Sequence, residues 1–486
     1  MTSRLPLLLL GTALLSACSV GPDYRPKTAG ELGVPGEWSV NAGPVPAPDA
    51  GDLTRWWSRF DDPVLGQLVE QAATANLDIA QAIARLRQAR EALVVSRSSL
   101  LPTLGGSGGY TRTEPVEGGG TGRDSFSAGL DASYQVDLFG GIRRGVESSR
   151  AQYEGAGFDY ATTLLSVQGE VARNYVLARA YQAQLTNARD SLSIQDDNLE
   201  IAGFRVQAGL VSSLDSEQAR ATRAQTAANI PQIEQLYNAA VSRIAVLTGQ
   251  APGALKPLLA AVRPIPTGPD SVATGIPANI LRQRPDVRSA ERNLAAATAQ
   301  IGVAKAQLFP ALSIGGSLDA GATRIGTIFD TITGSLFAGV TQAIFNGGRL
   351  NAQVRSARAG SDAAFAAYKS TVLTAMEDIE NALVAFQTAQ ARERQFLIAF
   401  DAATNSAILA RSQYRTGLTD FTTLNTQEAS LVSARNGLVQ ARSDKATALI
   451  ALYGALGGGW DASATPAEPL ASPLTAPSRT FPSGQN

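Results

Sequence analysis

Phe126-Ser127-Ala128-Gly129-Leu130-Asp131-Ala132-Ser133-Tyr134-Gln135-Val136-Asp137-Leu138 decides the fold, because of its own period and the change of period that follows it. Phe126, Ala128, Leu130, Ala132, Tyr134, Val136 and Leu138 alternate with small or polar residues, the pattern of a strand with one apolar and one polar face. From Arg143 to about Phe204 no proline interrupts an Ala- and Gln-rich stretch in which Tyr160, Leu164, Val167, Val171, Tyr175 and Ala178 recur at steps of three and four. A helix of roughly sixty residues rises about 90 Å, too long to pack inside a compact domain, and needs neighbouring rods in a coiled-coil-like layer. The strand alone fits two settings. Its apolar face meets either a soluble core or lipid, and in the second case its polar face (Ser127, Asp131, Gln135 and Asp137) lines water.

The chain contains this text twice. Asn76-Leu77-Asp78-Ile79-Ala80 corresponds to Arg284-Pro285-Asp286-Val287-Arg288, Leu101-Pro102 to Phe309-Pro310, Tyr160 to Tyr368 and Gly209-Leu210 to Gly417-Leu418. The offset is constant, since 286 − 78, 310 − 102, 368 − 160 and 417 − 209 are all 208, and it slips only where Phe139 matches Phe345. Such a period is far beyond that of solenoid repeats and marks duplication of a half-molecule. Each copy reads helix, strand, strand, long helix, tight turn, helix. The first copy spans 61–250, with strands at about 103–112 and 126–138 and a long helix at about 143–204. The second spans 278–456, with strands at about 311–320 and 332–345 and a long helix at about 349–414. Gly209 and Gly417 end the rods, and return helices follow, the first expected to kink at Pro231. A Pro-rich linker, 251–277, joins the copies, an extended segment occupies 18–60, and 457–486 is a Gly-, Pro- and Ser-rich tail.

Residues 1–17 read as a signal peptide: Arg4, an apolar run through Leu15, and Leu15-Ser16-Ala17 before Cys18. The small-small-Cys ending resembles a bacterial lipobox, in which Cys18 is acylated, and Ser19 after it implies sorting to the outer membrane. No later segment has eighteen consecutive apolar residues, so a membrane crossing here requires a closed β-barrel. Four strands are too few to close one, so strands embedded in a membrane require association of copies: two give eight strands, three give twelve. Net charge is −1 with no basic block, which argues against nucleic acid. With no histidine and one cysteine, the usual residues of general-base, thiol and zinc chemistry are missing, and no enzyme, metal or cofactor is expected beyond the lipid on Cys18.

Several motifs in order complete the picture: Cys18-Ser19-Val20-Gly21-Pro22-Asp23-Tyr24, Trp56-Trp57, Asp62-Pro63-Val64-Leu65, Asp137-Leu138-Phe139-Gly140, Gln283-Arg284-Pro285-Asp286, Leu308-Phe309-Pro310 and Phe345-Asn346-Gly347-Gly348-Arg349. Over nearly the whole mature chain these resemble the TolC/OprM-type outer-membrane efflux factors, in the lipoprotein (NodT-like) branch. The resemblance implies a mainly α fold with a small β part and two tandem repeats. It implies a homotrimer whose four strands per protomer make a twelve-stranded transmembrane barrel above a long α-helical periplasmic barrel. It also implies service as the exit duct of a tripartite pump, with a periplasmic membrane-fusion adaptor and an inner-membrane transporter of the RND type. The gate is then expected at the helical tip, with Asp420, Thr422, Thr423, Thr426, Asp215 and Glu217 as gate residues and Tyr414 and Arg415 as makers of tip-closing bonds. Thr422, Thr423 and Thr426 depart from the Leu and Asp that family members carry there, and helix capping is the competing role of Asp420 and Asp215. A duct for protein secretion and a non-porous coiled-coil lipoprotein are the rival functions.

Overall fold

The computed structural model describes residues 19–39, 53–273, 275 and 277–461. Cys18, the signal peptide and most of the tail lie outside the described residues. The main elements are α1 (Pro63–Ala75), α2 (Leu77–Ser98), β1 (Thr103–Thr113), β2 (Arg123–Val136), α3 (Gly141–Gln207), α4 (Ser213–Leu247), α5 (Pro285–Ala306), β3 (Ala311–Ala322), β4 (Ile332–Thr341), α6 (Arg349–Arg415) and α7 (Phe421–Ala455). The duplication holds at the level of element bounds: α2 and α5, α3 and α6, and α4 and α7 each start and stop at the constant offset read from the sequence. The long helices have 67 residues each, about 100 Å of rise. No described helix is long and apolar enough to cross a membrane.

The strands form one antiparallel sheet in the order β1-β2-β3-β4. Thr103 pairs with Ser133 in the first hairpin and Ala311 with Thr341 in the second, so the two hairpins share one register after the same shift. The expected slip beside Phe345 is a slip of the Phe alone. Gly140 and Gly348, both with positive φ, sit at equivalent positions before their helices.

Two compact units cut across the repeats. One gathers the described residues up to Thr28 with Arg85–Gly157 and Ser289–Ser370, including the whole sheet; the other gathers Ala29–Ala84, Phe158–Arg288 and Thr371 onward. The second unit holds the main core. Trp56, 2% exposed, stacks on Tyr453 at 5.8 Å, and Leu65, Leu68, Tyr175, Ile244 and Leu449 are buried around it. The linker is pinned there by Arg179 and Gln182 of α3, which donate to the carbonyls of Ala261 at 2.8 Å and Leu259 at 2.6 Å. Asp62 caps α1 by accepting from the Val64 and Leu65 N–H groups, and its other oxygen accepts from the Tyr175 hydroxyl at 2.7 Å. Burial and the Asp62 carboxylate push the Tyr175 phenol up to about 12.

The helix expected to run on towards Leu100 is broken at Asn76, which does three jobs at once. Its Oδ1 accepts from Asp78 N and Ile79 N, capping α2, and its Nδ2 donates to the Leu247 carbonyl at the end of α4, 2.8 Å away. Asn76→Ala removes the cap and leaves a buried carbonyl without its donor, for a loss of about 2 kcal/mol in a urea melt. Asn76→Asp keeps the cap and recovers about half of that. Pro231, expected to kink the first return helix, lies within a helix that continues to Leu247.

Candidate functional site

The sheet has two chemically distinct faces. Cross-strand partners share a face, so Leu130 lies beside Leu318 and Gly106, Ala132 beside Gly316, and Gly316 beside Leu336. On this face Leu104, Leu318, Leu336 and Val340 are 75%, 54%, 86% and 66% exposed, an aliphatic band left uncovered by the described residues of one protomer. Such a band meets lipid in a membrane barrel. The opposite face carries Ser127, Asp131 and Gln135 together with Thr103, Ser313, Ser317 and Ser335. Its hydroxyls bond across strands, Thr103 to Ser133 at 2.9 Å and Ser317 to Ser335 at 2.8 Å. One aromatic residue, Phe337, shares this polar face and lies over Gly315, where a β-carbon would strike its ring. No sequence signal marks it, because Leu336-Phe337 breaks the alternation.

Asp137 is a correction to the strand-face reading. β2 ends at Val136, and the Asp137 carboxylate accepts from the backbone N–H groups of Ile142 at 3.2 Å and Arg143 at 2.9 Å. It sits at the start of α3, where the free N–H groups and the helix dipole attract a negative charge. At the same junction Val20 N donates to the Phe139 carbonyl at 3.1 Å, and Ser19 packs on Gly140. The chain then runs along the helices through Asp23, which pairs with Arg144 at 2.5 Å, and Tyr24, whose hydroxyl donates to Glu291 at 2.9 Å. The residue after Cys18 is thus held where the sheet gives way to helices.

At the other end of the long helices the glycines behave as read. Gly209 and Gly417 adopt φ of +69° and +79°, and Leu210 N and Leu418 N reach back to the carbonyls of Arg205 and Gln413. The return helices are capped at equivalent positions by different residues, Ser212 and Asp420. Asp420 accepts from Thr423 N at 2.7 Å, and its bonds from Thr423 hold its carboxyl below the usual range. A depressed carboxylate supports the cap at neutral pH, and this support is lost as the pH falls through the lowered value. Phe421, Leu424 and Glu428 of α7 are buried, whereas Thr422, Thr423 and Thr426 form the exposed side of the same turns. Asp215 lies half-buried in the first turn of α4, and Glu217 is exposed and paired with Arg220 at 3.2 Å.

Tyr414 is 1% exposed, but its hydroxyl makes no hydrogen bond among the described residues. Its ring makes the contact, edge-on to Phe421 at 5.9 Å and beneath the Arg205 guanidinium at 4.6 Å. Arg415 is exposed, so the cation that joins the two copies at the tip is Arg205. Beside them Arg411 forms a two-armed ion pair with Glu428, which is 6% exposed. Neither Arg205 nor this pair was visible in the sequence, because each contact joins one helix to another, Arg205 of α3 to Tyr414 of α6 and Arg411 of α6 to Glu428 of α7.

A sheet with one aliphatic and one hydroxyl-rich face, joined to duplicated long helices, defines an outer-membrane channel subunit. The chain belongs to the Outer membrane efflux protein family, which matches residues 68–250 and 276–458. It is 32% identical to the pyoverdine export outer membrane protein OpmQ of Pseudomonas aeruginosa, across 93% of this chain and 96% of that one. It is also 32% identical to nodulation protein T of Rhizobium leguminosarum bv. trifolii, across 92% and 96%. The solved outer-membrane channel OprN superposes with a TM-score of 0.83 at 34% identity, covering 91% of this chain and all of that one. The protein is an outer-membrane efflux channel, the exit duct of an efflux pump, with its helices extending into the periplasm.

Proposed function

We propose that three copies form the duct, closing a twelve-stranded barrel around one axis, and that a periplasmic adaptor and an inner-membrane transporter of the RND type deliver the cargo. The observation that carries this is the four-stranded sheet with two open edges and an aliphatic band. Open edges in lipid leave backbone groups unsatisfied at several kcal/mol each, so the sheet is complete only with further copies. The duct does no chemistry of its own, and the transporter supplies the energy. The cargo is a small molecule selected upstream, in keeping with a relative named for pyoverdine export. Native mass measurement of the detergent-purified protein gives three chains, and deletion of the gene sensitises the cell within a panel of antibiotics, solvents, metals and phenolics. A monomer, or a deletion strain unchanged across the panel, overturns the reading.

Cys18 carries the lipid in this proposal. The hold on Ser19 at the junction of strands and helices supports this reading, since that junction is where the proposed barrel would meet the periplasmic leaflet. Each buried methylene adds about 0.8 kcal/mol, so several chains anchor firmly. Cys18→Ser abolishes palmitate labelling; persistent labelling contradicts the assignment.

The closed end is the helical tip. The exposed faces of Asp420, Thr422, Thr423 and Thr426 on α7, with Asp215 and Glu217 on α4, are free to meet their counterparts in neighbouring copies. Asp420 acts there chiefly as a cap. Asp420→Asn, which preserves the cap and removes the charge, leaves single-channel conductance unchanged, while Asp420→Ala raises it. An increase with Asn as large as with Ala assigns the effect to the charge instead.

A further inference from the structure

The second repeat starts its long helix without the acid that the first repeat uses. Asp137 lies four residues before α3 begins and accepts from the N–H groups of Ile142 and Arg143. From Gln342 to Ala352 the second repeat has Asn346 and no acidic side chain, and α6 opens on Arg349. Gly347 follows Asn346, and Gly348 then holds the left-handed position that Gly140 holds in the first repeat. We infer that Asn346 is a self-modification site. The Asn346-Gly347 step converts in the folded protein to an aspartyl or isoaspartyl step, and so gives the start of α6 the carboxylate that the start of α3 encodes.

The chemistry needs only water. The Gly347 main-chain nitrogen, losing its proton, attacks Asn346 Cγ. A C–N bond forms and closes a succinimide ring, the bond from Cγ to the side-chain nitrogen breaks, and that nitrogen leaves as ammonia. Water then opens the ring at one of two bonds. Breaking the bond from Cγ to the ring nitrogen gives aspartate. Breaking the bond from the main-chain carbonyl carbon to the ring nitrogen gives isoaspartate, with the chain routed through the side-chain carbon. Either product has exchanged one NH for one O, and nothing is oxidised or reduced.

The step reacts where the glycine nitrogen can swing onto Cγ and its N–H is not committed elsewhere. Phe345 and Gly347 are exposed, with Asn346 half-buried between them. Gly347 and Gly348 have φ of +59° and +83°, and Arg349 N donates to the Asn346 carbonyl at 3.2 Å, a tight turn of the type that glycine favours at both central positions. A β-carbon added to Gly347 meets nothing within 4 Å, so nothing crowds the attacking residue. Among the described residues the Gly347 N–H makes no main-chain hydrogen bond.

The chain carries its own control. Asn436-Gly437 is the one other Asn-Gly step in the sequence, and it lies inside α7. There the helical main chain turns the Gly437 nitrogen away from the Asn436 side chain and commits its N–H to the helix ladder. Asn436 Oδ1 accepts from Asn187 at 3.4 Å, and a β-carbon on Gly437 would strike the ring of Phe396. The same dipeptide sits once where the reaction is free to run and once where a packed helix must first open.

Peptide mapping of the purified full-length protein, aged at mildly alkaline pH to favour loss of the Gly347 proton, tests the site. In the folded protein the Asn346 peptide shows the O-for-NH mass change at least about tenfold faster than the Asn436 peptide, because a step inside a helix waits for local opening. In urea the two rates converge. An isoaspartyl methyltransferase supplied with labelled S-adenosylmethionine labels the aged wild-type protein, and Asn346→Gln, whose longer side chain closes the ring poorly, removes most of that label. Asn346→Asp, which fixes the charged product, unfolds in urea at or above the midpoint of fresh wild type, because a carboxylate at the start of α6 meets the helix dipole favourably. Equal rates at the two steps in the folded protein, or an Asn346 that converts only in urea, overturn the site. A midpoint of Asn346→Asp below that of fresh wild type overturns the role given to the carboxylate.

Discussion

Arg284→Ala lowers the unfolding midpoint by about 3 °C, the largest loss expected from a single side chain outside the apolar core. The guanidinium is 9% exposed and serves four acceptors. It forms a fork to Asp286 at 3.0 and 2.7 Å, reaches Asp378 at 3.0 Å, and donates to the carbonyls of Ala455 at 3.2 Å and Ala375 at 3.5 Å. Burial opposes its charge, but the two carboxylates outweigh that and hold its pKa above the ordinary value. Truncation leaves two carboxylates facing each other with two unserved carbonyls. Breaking a buried ion pair costs about 3–5 kcal/mol, and the lower figure applies because Asp378 is half exposed. Arg284→Lys recovers little, since an ammonium cannot reproduce the fork. Asp378, half exposed, is thus part of a joint. The first repeat makes the same joint with Asn76, and the acceptors Leu247 and Ala455 are themselves equivalent positions of the two repeats. Gly249 and Gly457, both left-handed, pass close to the backbone of Ala75 and Gln283 at the same two places. A midpoint unchanged in Arg284→Ala would show that the joint carries no stability.

Tyr414→Ala opens the tip, and Tyr414→Phe does not. The ring is buried against Phe421, Leu424, Ala202 and Ala410, so its loss leaves a cavity worth about 3–5 kcal/mol. That is enough to unfasten the end of α6 from the end of α3, where Arg205 rests on the same ring. The Ala variant therefore conducts more in a bilayer and leaks antibiotic into the cell. The Phe variant stays closed, because the hydroxyl it loses has no partner among the described residues. Opening in the Phe variant would restore the hydroxyl-bond role expected from the sequence.

The fold was legible because its signals are periodic or duplicated. A two-residue alternation, a proline-free rod and a constant offset each survive without knowledge of packing, so the long helices and hairpins fall within a few residues of where the pattern put them. The glycine turns were legible for a related reason: a left-handed residue ending a helix favours glycine. What the sequence hid depends on which elements meet in space. Asp137 looked like one more polar strand residue, and only the position of α3 makes it a helix-terminal carboxylate. Tyr414 looked like a hydrogen-bonding residue, and only the hydrophobic cluster around it shows that the ring does the holding. Arg205 and Glu428 sat unmarked within helical runs, because nothing in a solvated-looking heptad announces a neighbour on another helix.

Planar-bilayer recording of the purified protein tests the duct itself most directly. Wild-type protein gives small, infrequent openings, and Tyr414→Ala gives sustained large ones, with Tyr414→Phe matching wild type. Absence of ionic conductance from both the wild type and the Tyr414→Ala variant, in protein shown to be assembled, would contradict a channel.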